Sequence, residues 1–307
     1  MAFSTMAQAA WPERPIKIVV PYGPGSTPDA LARVIFEQVS TTTGQPAIIE
    51  NRPGGAGMIG AAAVAKATPD GYTLLLSAAG PLVTNTLLYS SMTYDPLNDL
   101  SPIALVAETP TVLVKSRGVK SQNITDLLQE MKAREDDFAY ASAGNGTLGH
   151  LSMAYLVSKA DAAIPHVPYG GSPQILTSMV ADDIQLASLP PLAVAPLISA
   201  GRIEPVAVIG PRRNALLPEL ATLQEQGLDF APVGWFGVAA PAGVPADVAG
   251  RIYEAIAKAL ESDTVKAYYQ AQGMDITSLG PAAFADYLQN ELKLWKPVVE
   301  ENRISLD

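Results

Sequence analysis

The N-terminal third of the chain alternates short β-branched runs with helical patterns of apolar residues. The pattern predicts strands at residues 16–20, 47–50 and 72–76, and helices at residues 29–39 and 58–67. In the first helix the apolar residues recur three and four positions apart and share one face, which contains Leu31, Val34, Ile35 and Val39. The order β-α-β-α-β is typical of parallel strands joined by crossover helices.

The same alternation restarts at residue 111. It predicts strands at residues 111–114, 138–141, 164–167, 184–187 and 205–209, with helices at 124–134, after 146, after 172 and up to 200. A further strand at 233–239 then precedes helices at 245–260, 264–272 and 281–302. Two similar α/β units in series predict two lobes, with a hinge near residues 109–112 and again near 231–235.

Chain length agrees with two lobes, because domains cluster near about 100–150 residues and this chain has 307. Apolar residues make up 48% of it and charged residues 16%, so disorder is disfavoured. The net charge of −10 and the lack of a Lys/Arg cluster argue against nucleic acid. They do not exclude a small anion, because backbone N–H groups at a helix N-terminus bind carboxylates whatever the overall charge.

The N-terminal ten residues, MAFSTMAQAA, leave two interpretations open. Ala7, Gln8 and Ala9 have the small-residue spacing of a signal-peptidase site, which indicates the remainder of an export signal. A disordered native N-terminus fits the same ten residues. No run of about twenty apolar residues, the length that spans a bilayer, occurs in the sequence, and cysteine is absent, which excludes disulfides and thiolate chemistry.

The loop after the first strand, residues 21–29, is a candidate anion site. Thr27 is expected to cap the following helix and Pro28 suits its first position, which leaves N–H groups free to face a cleft. An ordinary strand-to-helix turn is the alternative. The candidate ligand-binding residues in this loop are Tyr22, Gly23, Gly25, Ser26, Thr27 and Asp29.

The loop at residues 142–149 has glycines at positions 144, 146 and 149, which is the spacing of a dinucleotide fingerprint. The fingerprint also requires an acid at the end of the next strand, and here Asp161 precedes that strand instead. Glycines also let a carboxylate approach bare backbone N–H groups, and we favour this interpretation. The candidate residues are Ser142, Gly144, Asn145, Gly146 and Thr147.

Two further loops follow predicted strands, at residues 77–80 and 169–173. They add the candidates Ala79, Gly80, Tyr169 and Gly170. Ligands of open α/β sheets bind beyond the carboxyl ends of the strands. Four Gly/Ser-rich loops at such ends therefore predict one shared cleft, although each loop alone is compatible with a plain turn.

Catalytic motifs are missing from the sequence. The two histidines, His150 and His166, have no acidic neighbour at zinc-motif spacing, and no G-x-S-x-G motif occurs. We expect His150 to orient a loop or line the cleft, and His166 to be a core residue. Arg52 is expected to pair with Glu50 or pack its loop. The prediction is a protein without catalytic activity, metal or cofactor; the alternative is an enzyme that holds a nucleotide in the Gly144 loop.

Several ordered motifs resemble the Bug-type solute receptors of tripartite tricarboxylate transporters, and the resemblance covers the chain from Trp11 to its C-terminus. They read RPIKIVVPY at residues 14–22, ENRPGGAG at 50–57, TPDGYTL at 68–74, YDP at 94–96, YASAGNG at 140–146, HVPY at 166–169 and WFG at 235–237. Together they are far more specific than any single motif.

The resemblance implies a two-lobed type II periplasmic-binding-protein fold, in which each lobe is a mostly parallel sheet flanked by helices and the ligand cleft lies between them. It implies discontinuous lobes, here residues 11–110 with 233–307 and residues 111–232. It also implies a periplasmic monomer that closes over a carboxylate and delivers it to inner-membrane permease subunits. A soluble sensor of the same ligand is a further alternative.

The ligand is expected to be a mono- or dicarboxylate without an ammonium group. An ammonium needs an acidic partner in the cleft, and a family aspartate position is Leu189 here. The loops assigned to the cleft keep only Asp29. Leu189 and Pro190, with Tyr22 and Tyr169, are expected to pack against the spacer of the ligand, so aromatic dicarboxylates rank above aliphatic ones.

Overall fold

The computed structural model describes residues 11–306, and their strands form two mixed β-sheets. The predicted remainder of an export signal lies outside the described residues. The strands are β1 (Ile16–Val20), β2 (Ala47–Asn51), β3 (Thr73–Ala78), β4 (Leu100–Thr109), β5 (Thr111–Lys115), β6 (Tyr140–Ser142), β7 (His166–Pro168), β8 (Leu186–Leu189), β9 (Glu204–Ile209), β10 (Gly234–Pro241) and β11 (Asp275–Leu279).

Ten α-helices connect these strands in the described part of the chain. They are α1 (Thr27–Thr43), α2 (Met58–Ala65), α3 (Asn85–Leu88), α4 (Ile124–Ala133), α5 (Leu148–Lys159), α6 (Ser172–Val180), α7 (Pro191–Ser199), α8 (Ala246–Leu260), α9 (Asp263–Gln272) and α10 (Pro281–Glu301). A π-helical turn over Gly80–Thr84 leads directly into α3. None of the helices in residues 11–306 is long and apolar enough to cross a bilayer.

The first sheet has the strand order β11-β4-β10-β3-β1-β2, and the second has β7-β6-β8-β5-β9. In the first sheet β1, β2, β3 and β4 run in one direction, while β10 and β11 run in the other. In the second sheet only β5 opposes the rest. Most strands of each sheet are thus parallel in direction, which confirms the predicted two-lobed α/β fold.

Two strands, β4 and β11, were not predicted from the sequence. β4 is almost fully apolar and contains Pro102, a residue that argues against a central strand because it cannot donate to the ladder. The structure accommodates Pro102 opposite Ala239, next to a register shift between Val238 and Ala239. β11 is a short, partly polar edge strand, so its sequence has no clear apolar alternation.

The chain passes between the sheets at two adjacent points. Pro110 alone separates β4 from β5, and the return at β10 pairs Gly234 with Thr109. A Cβ on Gly210, which ends the second-sheet segment, would lie 2.9 Å from the Cβ of Pro110. Both connections are therefore side by side, at the positions where the sequence predicts the hinge.

Helix α10 forms a third contact between the two halves. Phe284 and Leu288 in its first turns pack into a core beneath the first sheet, with Leu75 and Leu105. Trp295 and the residues after it pack instead with the core of the second sheet. The sequence predicts that residues 233–307, and with them all of α10, belong to the first lobe. In the structure the last turns of α10 contact the second lobe.

Candidate ligand-binding cavity

A cavity of about 370 Å³ lies between the two halves of the molecule, where the end of β3 faces the start of α5. Its wall combines residues from the first sheet and its loops, from the loop and first turns of α5, and from α10. They are Tyr22, Ala56, Ala78, Ala79, Gly80, Thr84, Asn85, Asn145, Gly146, Thr147, Leu148, Leu151, Val233, Gly234, Trp235, Phe236, Glu291 and Trp295. A cleft beyond the carboxyl ends of strands is where α/β folds bind ligands.

The polar groups of this wall are neutral side chains with a single carboxyl among them. Thr84 and Asn85 come from the first lobe, Asn145 and Thr147 from the second, and Glu291 from α10. No Lys, Arg or His side chain lines the cavity within residues 11–306. An anion bound here must be stabilised by N–H and O–H dipoles instead of a formal positive charge.

The N-terminus of α5 supplies such dipoles. Thr147 caps this helix, because its Oγ1 accepts a hydrogen bond from the His150 N–H at 3.4 Å, and it donates to the Gly144 carbonyl at 2.8 Å. The backbone N–H groups of Asn145 and Leu148 make no hydrogen bond within the described residues, and both residues line the cavity. The helix therefore presents free donors and the positive end of its dipole to the cavity.

Two glycines of the same loop play a structural role. The Gly146 N–H donates to His150 Nδ1 at 3.0 Å, and the Gly144 N–H donates to Ser142 Oγ at 3.3 Å. Both glycines have positive φ values, +125° at Gly144 and +72° at Gly146, which shape the loop. Their N–H groups hold the loop in place, and the neighbouring Asn145 and Leu148 keep theirs free.

His150 is 6% exposed and belongs to a stack of rings behind this loop. Its ring lies 3.9 Å from that of His166, at an angle of 11°, and the Tyr140 ring lies 4.9 Å from His166 and 6.3 Å from His150. Burial, with a smaller contribution from His166, lowers the pKa of His150 to about 4. The neutral ring can then accept the Gly146 hydrogen bond. His150 lines a second cavity, of about 580 Å³, that shares Asn145 with the first.

His166 begins β7 and is half-buried. Its Nε2 lies 2.7 Å from Ser142 Oγ, so this side chain has the hydrogen-bond partner expected of a core histidine. Ser142 itself is fully buried and does not line the ligand cavity. Arg52 pairs with Glu50, as predicted.

The first loop contributes only Tyr22 to the cavity wall. Asp29 is 3% exposed, and its carboxylate accepts hydrogen bonds from the Gly25 N–H at 2.9 Å and from Arg33 at 2.9 Å. Hydrogen bonding to Arg33 is the main cause that lowers the pKa of Asp29 to about 2. The helix N-cap is Ser26 and not Thr27. Among the predicted residues of this loop, Gly23, Gly25, Ser26, Thr27 and Asp29 do not line the cavity.

The loop at residues 169–173 and the end of β8 also lie away from the cavity wall. Tyr169 donates to Ser178 Oγ at 3.1 Å, and the Gly170 N–H donates to Gln174 Oε1 at 2.9 Å. Leu189 is buried in the core of the second sheet, and Pro190 is exposed just before α7. The structure thus brings together Tyr22, Ala79, Gly80, Asn145, Gly146 and Thr147 from the predicted set.

Sequence reasoning missed the aromatic and acidic part of the wall. The carboxyl of Glu291 accepts hydrogen bonds from Trp235 Nε1 at 2.8 Å and from Trp295 Nε1 at 3.3 Å, both on Oε2. Burial raises the pKa of Glu291 above its ordinary value. A signal was present, because Phe284, Leu288, Glu291 and Trp295 are spaced three to four residues apart and place an acid on the apolar face of a helix.

Two α/β lobes joined at adjacent crossings, with a cavity between them, define a solute-binding protein of the periplasmic-binding-protein fold. The family model described as "Tripartite tricarboxylate transporter family receptor" matches residues 31–304. The chain belongs to this family, as its motifs predicted.

Relatives of known sequence match nearly the whole chain. The protein BugT of Bordetella pertussis is 33% identical over 302 residues, which cover 96% of this chain and 91% of BugT. A "UPF0065 protein in tcbD-tcbE intergenic region" of Pseudomonas sp. (strain P51) is 35% identical over 306 residues, 98% of this chain and 91% of the relative.

Solved structures agree with the fold. One is described as "R. palustris Rpa4515 with adipate": its TM-score is 0.81 at 31% identity, covering 97% of this chain and all (100%) of that one. MatC (Rpa3494) from Rhodopseudomonas palustris with bound malate has a TM-score of 0.77 at 27% identity, covering 94% and 100% of the two chains. Both of those proteins are described with a carboxylate.

Proposed function

We propose that this protein is a periplasmic receptor that captures a small organic carboxylate in the cavity between its lobes. It then delivers the carboxylate to the inner-membrane permease subunits of a tripartite tricarboxylate-type transporter. The observation that carries the proposal is the α5 N-terminus, which presents the free N–H groups of Asn145 and Leu148 to the cavity. The carboxylate-bound relatives and the family membership support the same class of ligand.

The chemistry of the wall suits a carboxylate that must also be released. Hydrogen bonds to a charged group each contribute about 1.5–3 kcal/mol, so two backbone donors with Thr147 and Asn145 nearby supply substantial affinity. Because no cation lines the described wall, no positive charge has to be left unpaired when the ligand departs. Trp235, Phe236 and Trp295 provide apolar surface for the carbon skeleton, aromatic or aliphatic.

Capture by hinge closure follows from how the lobes are connected. The two crossings lie next to each other at Pro110 and Gly234, so rotation there bends two neighbouring segments, and the contacts that change with it are those of α10, which packs against both lobes. Residues on both sides of the cavity then move together around the ligand. We expect a monomer to be sufficient, because each chain contributes all of the described wall.

The proposal includes no catalytic step. The Ser142–His166 pair resembles a Ser–His catalytic dyad, but Ser142 is fully buried and its hydroxyl donates to the Gly144 carbonyl at 2.8 Å. His150 is engaged by the Gly146 N–H. Neither histidine lines the ligand cavity, so neither is placed to exchange a proton with a molecule bound there.

Intrinsic fluorescence tests the proposal, because two of the three tryptophans, Trp235 and Trp295, line the cavity. We expect at least one acid from a panel of aliphatic and aromatic mono-, di- and tricarboxylates to change the emission saturably and to raise the melting temperature. NADH and ATP serve as controls and are expected to do neither. Saturable binding of a nucleotide, with no response to any acid, would refute the proposal in favour of a nucleotide-using enzyme.

A further inference from the structure

The C-terminal helix places one carboxyl in the wall of the ligand cavity. Glu291 is only 7% exposed and lies on the same face of α10 as Leu288 and Trp295. Burying a carboxyl among aromatic rings is costly unless its oxygens are paired. The partners of each oxygen therefore indicate what this residue does.

The two oxygens of Glu291 differ in their environment. Oε2 accepts the indole N–H groups of both Trp235 and Trp295. Oε1 receives no hydrogen bond within residues 11–306, and it belongs to a side chain that lines the cavity. No Lys, Arg or His of the described chain forms an ion pair with Glu291.

The nearest acid does not share this role. Glu108 lies on β4, and its oxygens accept hydrogen bonds from Thr277 Oγ1 at 2.8 Å and from the Tyr287 hydroxyl at 3.2 Å. Glu108 is not part of the cavity wall, whereas Glu291 is. Glu291 thus contributes to the cavity wall a carboxylate oxygen that no donor of the described residues satisfies.

We propose that Glu291 determines ligand specificity by accepting a hydrogen bond from a hydroxyl or ammonium group of the bound carboxylate. This inference rests on the proposed function. When Glu291 is ionised, a ligand whose second polar group is another carboxylate meets a like charge in a wall without cations, which is unfavourable. A hydroxy acid or amino acid satisfies Oε1 instead, while its carboxylate binds at the α5 N-terminus.

From the sequence, an ammonium-bearing ligand was not expected, because Asp29 was the only acid in the loops assigned to the cleft. In the structure Asp29 is paired with Arg33 and lies outside the cavity wall. Glu291 is the acid that faces the ligand. The expected ranking changes accordingly: acids that carry a distal donor precede dicarboxylates of the same skeleton.

Calorimetric titration with acids of matched skeleton tests the inference. One series is benzoate, p-hydroxybenzoate, p-(aminomethyl)benzoate and terephthalate; the other is hexanoate, ω-hydroxyhexanoate, ω-aminohexanoate and adipate. In at least one series the wild-type protein is expected to bind a donor-bearing acid about tenfold or more tightly than the dicarboxylate, since one hydrogen bond to a charged group contributes about that factor.

The variant Glu291→Gln is the sharpest comparison, because the amide keeps an acceptor for both indoles but turns an N–H₂ group toward the cavity. The preference for the donor-bearing acid is expected to fall by about tenfold. Glu300→Gln, the same change at an exposed position of α10, is expected to leave the preference unchanged. Melting curves of both variants report on folding.

The outcomes separate the inference from the function on which it rests. If the wild-type protein binds none of the acids in either the matched series or the wider panel, the proposed function is wrong. If acids bind but the wild-type protein prefers the dicarboxylate, the inference about Glu291 is wrong whether or not the variant folds. An unaltered preference in a folded Glu291→Gln protein also overturns it.

Discussion

Replacing Gly146 with valine is expected to weaken carboxylate binding by about a hundredfold or more. Gly146 has a φ of +72°, and a Cβ there would lie 2.7 Å from Leu88 Cδ1 and 3.0 Å from Leu306 Cδ1. A β-branched residue in this conformation is strained, so the loop must shift. The free N–H groups of Asn145 and Leu148 then move away from the ligand, and the loss of two charged hydrogen bonds of about 1.5–3 kcal/mol each accounts for the factor.

Gly201→Val provides a matched control. Gly201 also has a positive φ, +62°, but no atom lies within 4 Å of the position of its Cβ, and it is exposed in the turn after α7. Both variants should lose about 1–3 kcal/mol of stability from backbone strain, and Gly146→Val somewhat more because of its contact with Leu88. Calorimetry and urea unfolding measure the two effects. Wild-type affinity in a folded Gly146→Val protein would refute the role of this loop.

From the sequence, Gly146 was expected to give a ligand close access to its own N–H group. The structure shows that this N–H is occupied by His150 and that Leu88 and Leu306 pack against the glycine. The residue therefore supports the site by fixing the loop, and its replacement affects stability as well as binding.

Acidification between pH 6.5 and 4 is expected to destabilise the protein through His150. Burial lowers the pKa of His150 from 6.5 to about 4, so the unfolded chain takes up a proton on this residue before the folded protein does. The contribution of His150 is fully present above pH 6.5 and is lost as the pH falls toward 4. Its size is on the order of 3 kcal/mol, since one pKa unit corresponds to about 1.4 kcal/mol.

His150→Asn isolates this contribution, because asparagine does not titrate in this range. The wild-type free energy of unfolding is expected to fall more steeply than that of the variant between pH 7 and pH 4, as measured by urea unfolding at each pH. Ligand affinity should fall only as the pH approaches 4, where the folded protein becomes protonated at His150, because a protonated Nδ1 no longer accepts the Gly146 N–H. Parallel stability curves for the two proteins would contradict the assignment.

Local patterns were sufficient to predict most of the fold. The apolar face of α1 and the Gly/Pro signals around it are properties of adjacent residues, and the structure has this helix at Thr27–Thr43. β4 was missed because Pro102 interrupts a run whose pairing depends on β10, more than a hundred residues away. The packing of Trp295 against the second sheet likewise depends on a contact that no local pattern encodes.

In the candidate site, too, the features that could be predicted depend on adjacent residues, and those that could not depend on tertiary contacts. The α5 N-terminus was predicted from the spacing of Gly144, Gly146 and Gly149, which are neighbours in sequence, whereas its cap, Thr147, was not. The pairing of Asp29 with Arg33 was visible in principle, because residues four apart meet on a helix. Glu291 was not assigned to the cavity, because only the tertiary packing of α10 brings it beside Trp235.

Small-angle scattering with and without an acid that binds tests the central claim most directly, since the claim is that the lobes close around a carboxylate. The radius of gyration is expected to fall at saturation with the acid and to stay unchanged with the corresponding primary amide at the same concentration. An unchanged radius with the bound acid, or equal compaction by the amide, would contradict closure of the lobes around a carboxylate.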